Sequence, residues 1–409
     1  MASPSILNTN LADHELFRER EPHDVWEVLR REDPVHWHPM PDDVPGHWAI
    51  TKHADIVEIS RNPEIFSSEH SVGMEAPRAD PELGGARMIV TSDPPVHVQL
   101  RSAVNRGFTP RQVAKLEPQI REIVDGILDE AAPMGECDFV TQVAARLPLA
   151  VVQALLGVPE ADWRLMYDLT NRQLGSNDPE YQTVPGDRFE TARQARMELR
   201  AYFEEFLRER RKHPEDDLMS IMTLATLDGE PLTDNDILAF CNTVLIAGNE
   251  TTRTATSGGL LTLIEHPEQR ERLIADPSLI PGAIEEMLRW WTPVRFFARV
   301  AQTDTEVRGK TIRAGDRVVM WYASANRDED VFEEPYRFNI DRSPNEHLAF
   351  GIGEHYCLGA SLARLELRVM FEQLLQRMPD IELVGPVDRL NSNFIAGIKH
   401  MPVRYTPSR

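Results

Sequence analysis

The sequence predicts a mainly α-helical fold that also contains small β-sheets. Apolar residues recur at helical spacing along much of residues 110–275, as expected for helices that bury one face. Residues 298–322 instead alternate or carry β-branched side chains, with Gly309 and Gly315 at positions suited to turns. Residues 62–95 are rich in Pro, Gly and Ser, which predicts a long loop. Helices should therefore dominate the fold, and a small sheet should follow them.

Single elements can be placed in chain order. Residues 47–51 predict a strand. Residues 233–236 supply a helix start signal, and the long helix that follows should end near residue 264, before His266 and Pro267. This helix is apolar over most of its circumference, so it should be buried. A last helix should begin after Cys357 and run to about Met378, and short strands should follow residue 380.

Composition and charge favour a globular protein and argue against nucleic-acid-binding and membrane-spanning proteins. The chain has 409 residues, of which 41% are hydrophobic and 27% charged, as in globular proteins. The formal net charge of −22 argues against a nucleic-acid partner. No apolar run reaches the roughly 18 residues of a membrane span, and the N-terminus lacks the pattern of a signal peptide. Three widely spaced cysteines form neither a disulfide framework nor a zinc pair, so we expect a cytoplasmic protein without a membrane span.

One cysteine lies in a segment suited to binding a metal. Gly351, Gly353 and Gly359 surround Cys357 just ahead of the last predicted helix. Glycines permit close backbone approach, and a helix N-terminus favours a thiolate, which is a ligand for soft metals. From these residues alone, a buried structural cysteine explains the pattern equally well. Cys137 and Cys241 have no assigned role.

The long buried helix contains an unusual polar segment. Gly248 is followed by Glu250, Thr251 and Thr252. Polar groups in an apolar helix are costly unless they find partners, and threonine hydroxyls can bond to the carbonyl four residues earlier and bend the helix. The segment therefore predicts a local distortion with polar groups facing a cavity. The alternative, that Glu250 and Thr252 face solvent, remains open from these residues.

Together these segments resemble the cytochrome P450 family. Five residues fill its cysteine-loop pattern Phe-x-x-Gly-x-His/Arg-x-Cys-x-Gly: Phe350, Gly353, His355, Cys357 and Gly359. Residues 247–251 resemble its Ala/Gly-Gly-x-Asp/Glu-Thr pattern, residues 286–289 its Glu-x-x-Arg, and residues 335–338 its Pro-x-Arg-Phe. Residues 93–101 match Asp-Pro-Pro-x-His-x-x-x-Arg. The resemblance covers about residues 90–400. It implies the family's fold, a triangular helix-rich prism with a β-rich lobe, as a single domain over residues 1–409 of the soluble bacterial type.

The resemblance implies a role for each matching residue. Cys357 would be the axial thiolate of a haem b iron. His97, Arg101, Arg299 and His355 would bind the haem propionates by charge-assisted hydrogen bonds. Further haem contacts would come from Ala247, Gly248, Phe350, Gly351 and Gly359. Glu250 and Thr251 would deliver protons during dioxygen activation, and Glu286, Arg289 and Arg337 would form a structural triad.

The implied activity is a monooxygenase that inserts one oxygen atom from O2 into an apolar substrate. Residues 281–290 and 347–351 are more weakly similar to actinobacterial hydroxylases of sterol and branched-lipid side chains, which favours a steroid, terpenoid or branched lipid. The predicted substrate pocket is mostly apolar, as ligand pockets usually are. Its residues are Val72, Met88, Leu245, Ala247, Val294, Phe296, Phe297, Phe394 and Ile395. Arg295, the one cation nearby, is expected to point elsewhere.

Electrons would come from a separate ferredoxin and its reductase, because the chain has no iron–sulfur cysteine spacing. A basic docking face is predicted from Arg106, Arg111, Lys115, Arg364 and Arg368. We expect a monomer. Two alternatives remain: a haem-thiolate peroxygenase or isomerase, whose members commonly lack the Glu250–Thr251 pair, and a non-catalytic haem protein that only binds ligands.

Overall fold

The computed structural model describes residues 4–40, 44–69, 72–74 and 85–408, apart from the side chains of Pro4, Ser5 and Arg106. Its α-helices are α1 (Pro4–Leu7), α2 (His14–Glu19), α3 (His23–Glu32), α4 (His53–Ser60), α5 (Val96–Asn105), α6 (Pro110–Ala114), α7 (Glu117–Ala131), α8 (Arg146–Leu156), α9 (Trp163–Leu174), α10 (Arg188–Lys212), α11 (Leu218–Thr223), α12 (Asp234–Glu265), α13 (Pro267–Ala275), α14 (Ile280–Trp291), α15 (Tyr322–Ala325) and α16 (Ala360–Arg377). Its strands are β1 (Val35–His38), β2 (His47–Ile50), β3 (Phe66–Ser67), β4 (Glu136–Asp138), β5 (Thr226–Leu227), β6 (Glu230–Pro231), β7 (Phe296–Ala301), β8 (Thr305–Val307), β9 (Lys310–Ile312), β10 (Arg317–Trp321), β11 (Glu382–Leu383), β12 (Asp388–Arg389), β13 (Ile398–His400) and β14 (Pro402–Arg404).

The predicted fold class, mainly α with small sheets, is confirmed. The largest sheet has the strand order β1-β2-β10-β7-β3. Its pairs are antiparallel except for β2 and β10, which run parallel with His47 opposite Arg317. A second sheet has the order β11-β14-β4, and it ties the middle of the chain to its C-terminus because Cys137 pairs with Val403.

Helix α12 forms the centre of the helical region. It packs against α8, α10, α14 and α16, and most of its residues are buried. The predicted start is confirmed by a capping box: the Asp236 N–H donates to Thr233 Oγ1 at 3.2 Å, and the Thr233 N–H donates to Asp236 Oδ2 at 3.1 Å. The predicted distortion near Gly248 does not break the helix, because α12 remains α-helical from Asp234 to Glu265.

Three short features interrupt the region predicted to be helical. Strand β4 and a π-helical segment, Val140–Ala144, follow α7. The hairpin β5–β6 turns through Asp228 and Gly229, which both have positive φ, as a tight two-residue hairpin turn requires. An Asp-Gly pair is a recognised hairpin signal, so this hairpin was visible in the sequence and was missed.

The predicted loop over residues 62–95 contains strand β3 and a short 3-10 helix, Ile89–Thr91. Strand β3 extends the large sheet by pairing with β7. Residues 70–71 and 75–84 of this loop lie outside the described residues. Within the described part of the chain, no helix is both long and apolar enough to cross a membrane.

Candidate functional site

The loop that carries Cys357 is held in shape by backbone geometry. Gly351 and Gly353 have φ values of +67° and +76°, a conformation that residues with a Cβ rarely adopt. A Cβ at Gly353 would also lie 2.5 Å from the Ser60 carbonyl oxygen. The Cys357 N–H donates to the Phe350 carbonyl at 2.9 Å and closes the loop. These positions therefore require glycine for steric reasons.

The sulfur of Cys357 lies in a partly buried, electropositive environment. Burial raises the pKa of its thiol, while the Gly359 backbone N–H and the charges of Arg101 and Arg364 act in the opposite direction. Cys137 and Cys241 are fully buried, and neither has a cation among the groups that shift its pKa. Cys357 is therefore the cysteine best suited to bind a metal as a thiolate.

The structure brings together the four side chains predicted to bind the propionates. The rings of His97 and His355 are 4.3 Å apart between centroids. Arg101 and Arg299 both act on the pKa values of these two rings. Arg101 also donates to the carbonyls of the cysteine loop, reaching Tyr356 O at 2.6 Å. These four residues therefore lie together beside the cysteine loop, and their binding of propionates stays a prediction at this point.

This cluster carries positive charge that its neighbours compensate poorly. Burial, followed by the charges of Arg299, His97 and Arg101, lowers the pKa of His355 to about 3. Burial also lowers the pKa values of Arg101 and Arg299. Within the described residues, neither ring nitrogen of buried His97 has a hydrogen-bond partner. An anion with two carboxylates would satisfy both the charge and the orphaned donors, so these residues fit a haem with its propionates.

Helix α12 presents two different faces near this cluster. Ala247 is exposed and Thr251 is half-buried, so this face of the helix borders an open space. The Thr251 hydroxyl donates to the Ala247 carbonyl at 2.6 Å, the bond expected of a helical threonine. Glu250 is 1% exposed and forms an ion pair with Arg253, which is 2% exposed. The predicted alternative in which Glu250 and Thr252 face solvent is wrong, since both are buried.

The Glu250–Arg253 pair connects α12 to α9. Arg253 donates to Asn171 Oδ1 at 2.8 Å and lies 5.5 Å from the centroid of the Tyr167 ring. A second bond joins the same helices, from Asn249 Nδ2 to Thr170 Oγ1 at 3.0 Å. Burial would lower the pKa of Arg253, but the adjacent Glu250 carboxylate overcomes this and raises it. In the described residues, neither Glu250 oxygen accepts a well-aligned hydrogen bond, although the ion pair is close.

Gly248 has a packing role. A Cβ at this position would lie 2.5 Å from Cγ2 of Val152 on α8. The glycine therefore allows α12 and α8 to pack closely, which the sequence did not indicate.

The predicted pocket residues divide into two groups. Val72, Met88, Val294, Phe297 and Phe394 are half-buried, and Ala247 is exposed. Leu245, Phe296 and Ile395 are only 0%, 2% and 1% exposed, so they offer a ligand far less accessible surface than the first group, and their place in the pocket stays a prediction. Side chains alternate across a strand, so neighbouring Phe296 and Phe297 in β7 face opposite sides. Arg295 points away as expected, because it pairs with Glu21.

The structural triad was predicted with one wrong member. Glu286 and Arg289 form a fully buried bidentate pair, with both N–O distances at 2.7 Å. The Arg337 side chain is exposed and pairs with Glu334 instead, while its carbonyl accepts from Arg289 at 3.4 Å. Arg342 occupies the third place, 3.1 Å from Glu286 Oε2. Arg337 and Arg342 both lie in the loop after α15, and the path of that loop brings the Arg342 side chain, not that of Arg337, to Glu286.

The predicted basic docking face is partly neutralised. Arg364 pairs with Glu285, and Arg368 pairs with Glu117 and Glu372. A groove of about 280 Å³ lies beside them, lined mainly by apolar residues of α6, α14 and α16. Arg111 and Lys115 are exposed beside it, whereas the side chain of Arg106 lies outside the described residues.

Sequence reasoning missed several partners of the site residues. Arg253 follows Glu250 at the same spacing as Arg289 follows Glu286, so the repeated Glu-x-x-Arg pattern could have revealed it. Arg342 and the contact between Glu285 and Arg364 join distant segments, and the sequence carries no local signal for them.

Comparisons with known proteins identify the family. The family model "Cytochrome P450" matches residues 50–277 and 274–393. The steroid C26-monooxygenase of Rhodococcus jostii is 37% identical over 407 residues, covering 97% of this chain and 84% of the relative. The methyl-branched lipid omega-hydroxylase of Mycobacterium bovis is 40% identical over 391 residues, covering 93% and 90%. The structure of a Mycobacterium marinum cytochrome P450 in complex with pseudoionone superposes with a TM-score of 0.90 at 39% identity, covering 95% of this chain and 97% of the other. The chain therefore belongs to the cytochrome P450 family and is a monooxygenase of that haem-dependent family.

Proposed function

We propose that Cys357 is the axial thiolate of a haem b iron and that His97, Arg101, Arg299 and His355 bind the haem propionates. The observation that carries this proposal is the buried cationic cluster beside Cys357, in which His97 has no hydrogen-bond partner among the described residues. Phe350, Gly351 and Gly359 supply the walls around the sulfur. Ala247 and Gly248 supply the opposite wall from α12.

When bound, the haem supplies dioxygen activation and the insertion of one oxygen atom into a C–H bond. Thr251 places a hydroxyl at the open face of α12, where it can hold a proton or a water. Glu250 is the nearest acid in sequence, but its carboxylate is engaged with Arg253. Rotation of the Glu250 side chain away from Arg253 would be needed before it passes a proton towards Thr251 through water.

We propose a steroid, terpenoid or methyl-branched lipid as the substrate, hydroxylated on an aliphatic carbon. The accessible pocket residues Val72, Met88, Val294, Phe297 and Phe394 are all apolar, which favours an apolar ligand. The nearby cation Arg295 is buried with Glu21 and is not available as an anchor for a charged substrate. The names of the relatives with steroid and branched-lipid activity are consistent with this class.

Electrons would come from a separate ferredoxin that is served by its own reductase. Exposed Arg111 and Lys115 beside the groove would make the first electrostatic contacts, because Arg364 and Arg368 already have internal partners. Exposed charges act mainly on association rate and are screened by salt. Neutralising Arg111 and Lys115 together should therefore slow reduction by ferredoxin mostly at low ionic strength, as measured by stopped-flow absorbance.

The first test is the absorption spectrum of the dithionite-reduced protein under carbon monoxide. Wild type should show the strongly red-shifted Soret band of a thiolate-ligated haem, and Cys357→Ser should lose it. An unchanged band in the variant would overturn the ligand assignment. A panel of steroids, terpenoids and branched fatty acids should then produce a high-spin shift and a hydroxylated product, and a panel without either result would overturn the substrate class. Turnover with peroxide alone would favour a peroxygenase.

A further inference from the structure

A chain of polar contacts lies directly behind the cysteine loop. Arg364 on α16 donates to both carboxylate oxygens of Glu285 on α14, at 2.7 and 2.8 Å. His347 Nε2 lies 3.1 Å from Glu285 Oε2. The Ala349 N–H donates to His347 Nδ1 at 3.2 Å, so Nδ1 is an acceptor and Nε2 carries the proton donated to Glu285. The three side chains therefore form one connected network.

The other side of Arg364 contacts the cysteine loop itself. Its guanidinium carbon lies 4.5 Å from the centroid of the Phe350 ring, over the ring face. Its Nη1 also donates to the Tyr356 hydroxyl at 3.1 Å. Phe350 is linked to the cysteine through the bond from the Cys357 N–H to the Phe350 carbonyl. Arg364 thus contacts residues on the N-terminal side of Cys357 at two points of the loop.

The network holds opposite charges in fixed positions near the sulfur. Burial would raise the pKa of Glu285, but the bonds from Arg364 and His347 prevail and lower it to about 2. Glu285 is therefore anionic at neutral pH, and it offsets the charge of Arg364. In a partly buried site, a unit charge interacts more strongly with its surroundings than it does in water.

We propose that Arg364 and Glu285 are positioning residues that set the electrostatic field at Cys357 and thereby the reduction potential of the iron it binds. Arg364 holds a positive charge against the loop through Phe350, and Glu285 limits the effect of that charge. This inference rests on the proposed role of Cys357 as the haem ligand. It assigns Arg364 to the electronics of the site, in contrast to its predicted role as a docking cation.

This proposal predicts that removing Glu285 and removing Arg364 shift the reduction potential in opposite directions. Reduction of the iron adds one electron, so extra positive charge nearby favours the reduced form. Glu285→Gln removes the compensating anion and should raise the potential. Arg364→Gln removes the cation and should lower it. A loss of packing alone has no reason to give shifts of opposite sign.

Arg368 provides a matched control on the same helix. It lies one turn beyond Arg364, lines the same groove, and forms ion pairs with Glu117 and Glu372 at 2.7 and 3.1 Å. The described contacts do not join it to the cysteine loop. Arg368→Gln should therefore leave the potential unchanged, although it removes the same charge from the same groove.

The experiment is a spectroelectrochemical titration of the haem-loaded protein and its variants. We expect shifts of about threefold to tenfold in the ferric–ferrous equilibrium, where tenfold corresponds to 59 mV for a one-electron couple. The double variant Glu285→Gln/Arg364→Gln should return towards the wild-type value. Shifts of the same sign in the two single variants, or an equal shift in Arg368→Gln, would overturn the proposal.

A prior spectrum and a substitute variant separate failure of this inference from failure of the proposed function. The carbon monoxide spectrum is recorded first. Absence of the red-shifted band in wild type would refute the proposed function. A normal band, together with potential shifts of the same sign in the two single variants, would refute only this inference. If Arg364→Gln fails to retain haem, Arg364→Lys replaces it. Lysine keeps the positive charge, so its potential should stay close to that of wild type, and a shift as large as that of Glu285→Gln would count against the proposal.

Discussion

Two buried Glu–Arg pairs with the same spacing, Glu250–Arg253 and Glu286–Arg289, differ in how fully their polar atoms are satisfied. Glu286 accepts hydrogen bonds from Arg289, Arg342, Asn345 and the backbone of Asn339. Arg289 also donates to three carbonyls, those of Asn326, Pro335 and Arg337. The Glu250 carboxylate has its ion pair with Arg253 and no well-aligned hydrogen bond within the described part of the chain.

The difference separates a fully satisfied pair from one whose carboxylate has a single partner. A buried charge network whose members are all satisfied rigidifies its surroundings. A buried carboxylate held mainly by one cation can exchange that partner at lower cost, because few other bonds must break. Glu286 therefore fixes the loop between α15 and the cysteine segment, whereas Glu250 retains the freedom that its proposed role in proton transfer would require.

Breaking the satisfied pair should have the largest effect. Glu286→Gln leaves Arg289 buried without its counter-ion, and removal of one partner of a buried pair costs about 3–5 kcal/mol of unfolding free energy. We expect protein that expresses poorly and retains little haem. Urea unfolding followed by circular dichroism, together with the haem content, measures both.

Arg337→Ala and Arg342→Ala test which arginine completes the triad. Arg337 forms an exposed pair, and such pairs contribute about 0–1 kcal/mol, so its loss should change stability little. Arg342→Ala should be clearly more destabilising, because it removes donors to Glu286 and to the Glu333 carbonyl. The reverse order would restore the original prediction based on the family pattern.

Changing the Glu250–Arg253 pair should affect turnover more than folding. Glu250→Gln should reduce turnover about 100-fold, at the lower end of the contribution of general acid–base catalysis, and should increase the solvent isotope effect. Its unfolding free energy should fall less than that of Glu286→Gln, because Arg253 keeps its bond to Asn171.

A double variant sharpens this contrast. Glu250→Gln/Arg253→Gln removes both charges, so stability should partly recover while turnover stays low. The corresponding Glu286→Gln/Arg289→Gln variant should not recover, because three carbonyls lose their shared donor. If both double variants behave alike, the two pairs do not differ in kind.

The contrast between these pairs also shows what the sequence can predict. The ends of α12 are set by local signals, Thr233 with Asp236 at one end and His266-Pro267 at the other, and they were predicted within about two residues. The cysteine loop was identified by its resemblance to the family pattern, and its glycines at positive φ satisfy a local steric demand. The partners of the two Glu–Arg pairs were harder to predict, because Asn171, which binds Arg253, and Arg342, which binds Glu286, come from other segments. Phe296 and Phe297 show the same limit: alternation separates them, but only the packed sheet decides which one faces the core.

Thr251 tests the open face of α12 independently of Glu250. Thr251→Val removes the hydroxyl but keeps the side-chain shape, so we expect near-normal substrate binding with several-fold more peroxide released per electron pair. Thr256→Val is the matched control, since Thr256 makes the same bond to the carbonyl four residues earlier, at 2.8 Å, but is buried. Equal peroxide release in both variants would remove the special role of Thr251.

The smallest expected effect concerns acid stability far from the site. His47 is fully buried in β2, its ring stacks on His38 at 4.8 Å, and within the described residues neither of its nitrogens has a hydrogen-bond partner. Burial lowers its pKa to about 3, with the charge of His38 adding to this. Below about pH 6.5, the unfolded chain therefore binds a proton at His47 that the folded chain does not bind. The contribution of neutral His47 to the free energy of unfolding is thus complete above that pH and is lost as the pH falls towards 3. Urea midpoints measured between pH 7.5 and 5 should fall for wild type and fall less steeply for His47→Gln, and parallel pH profiles would show that His47 titrates equally in both states.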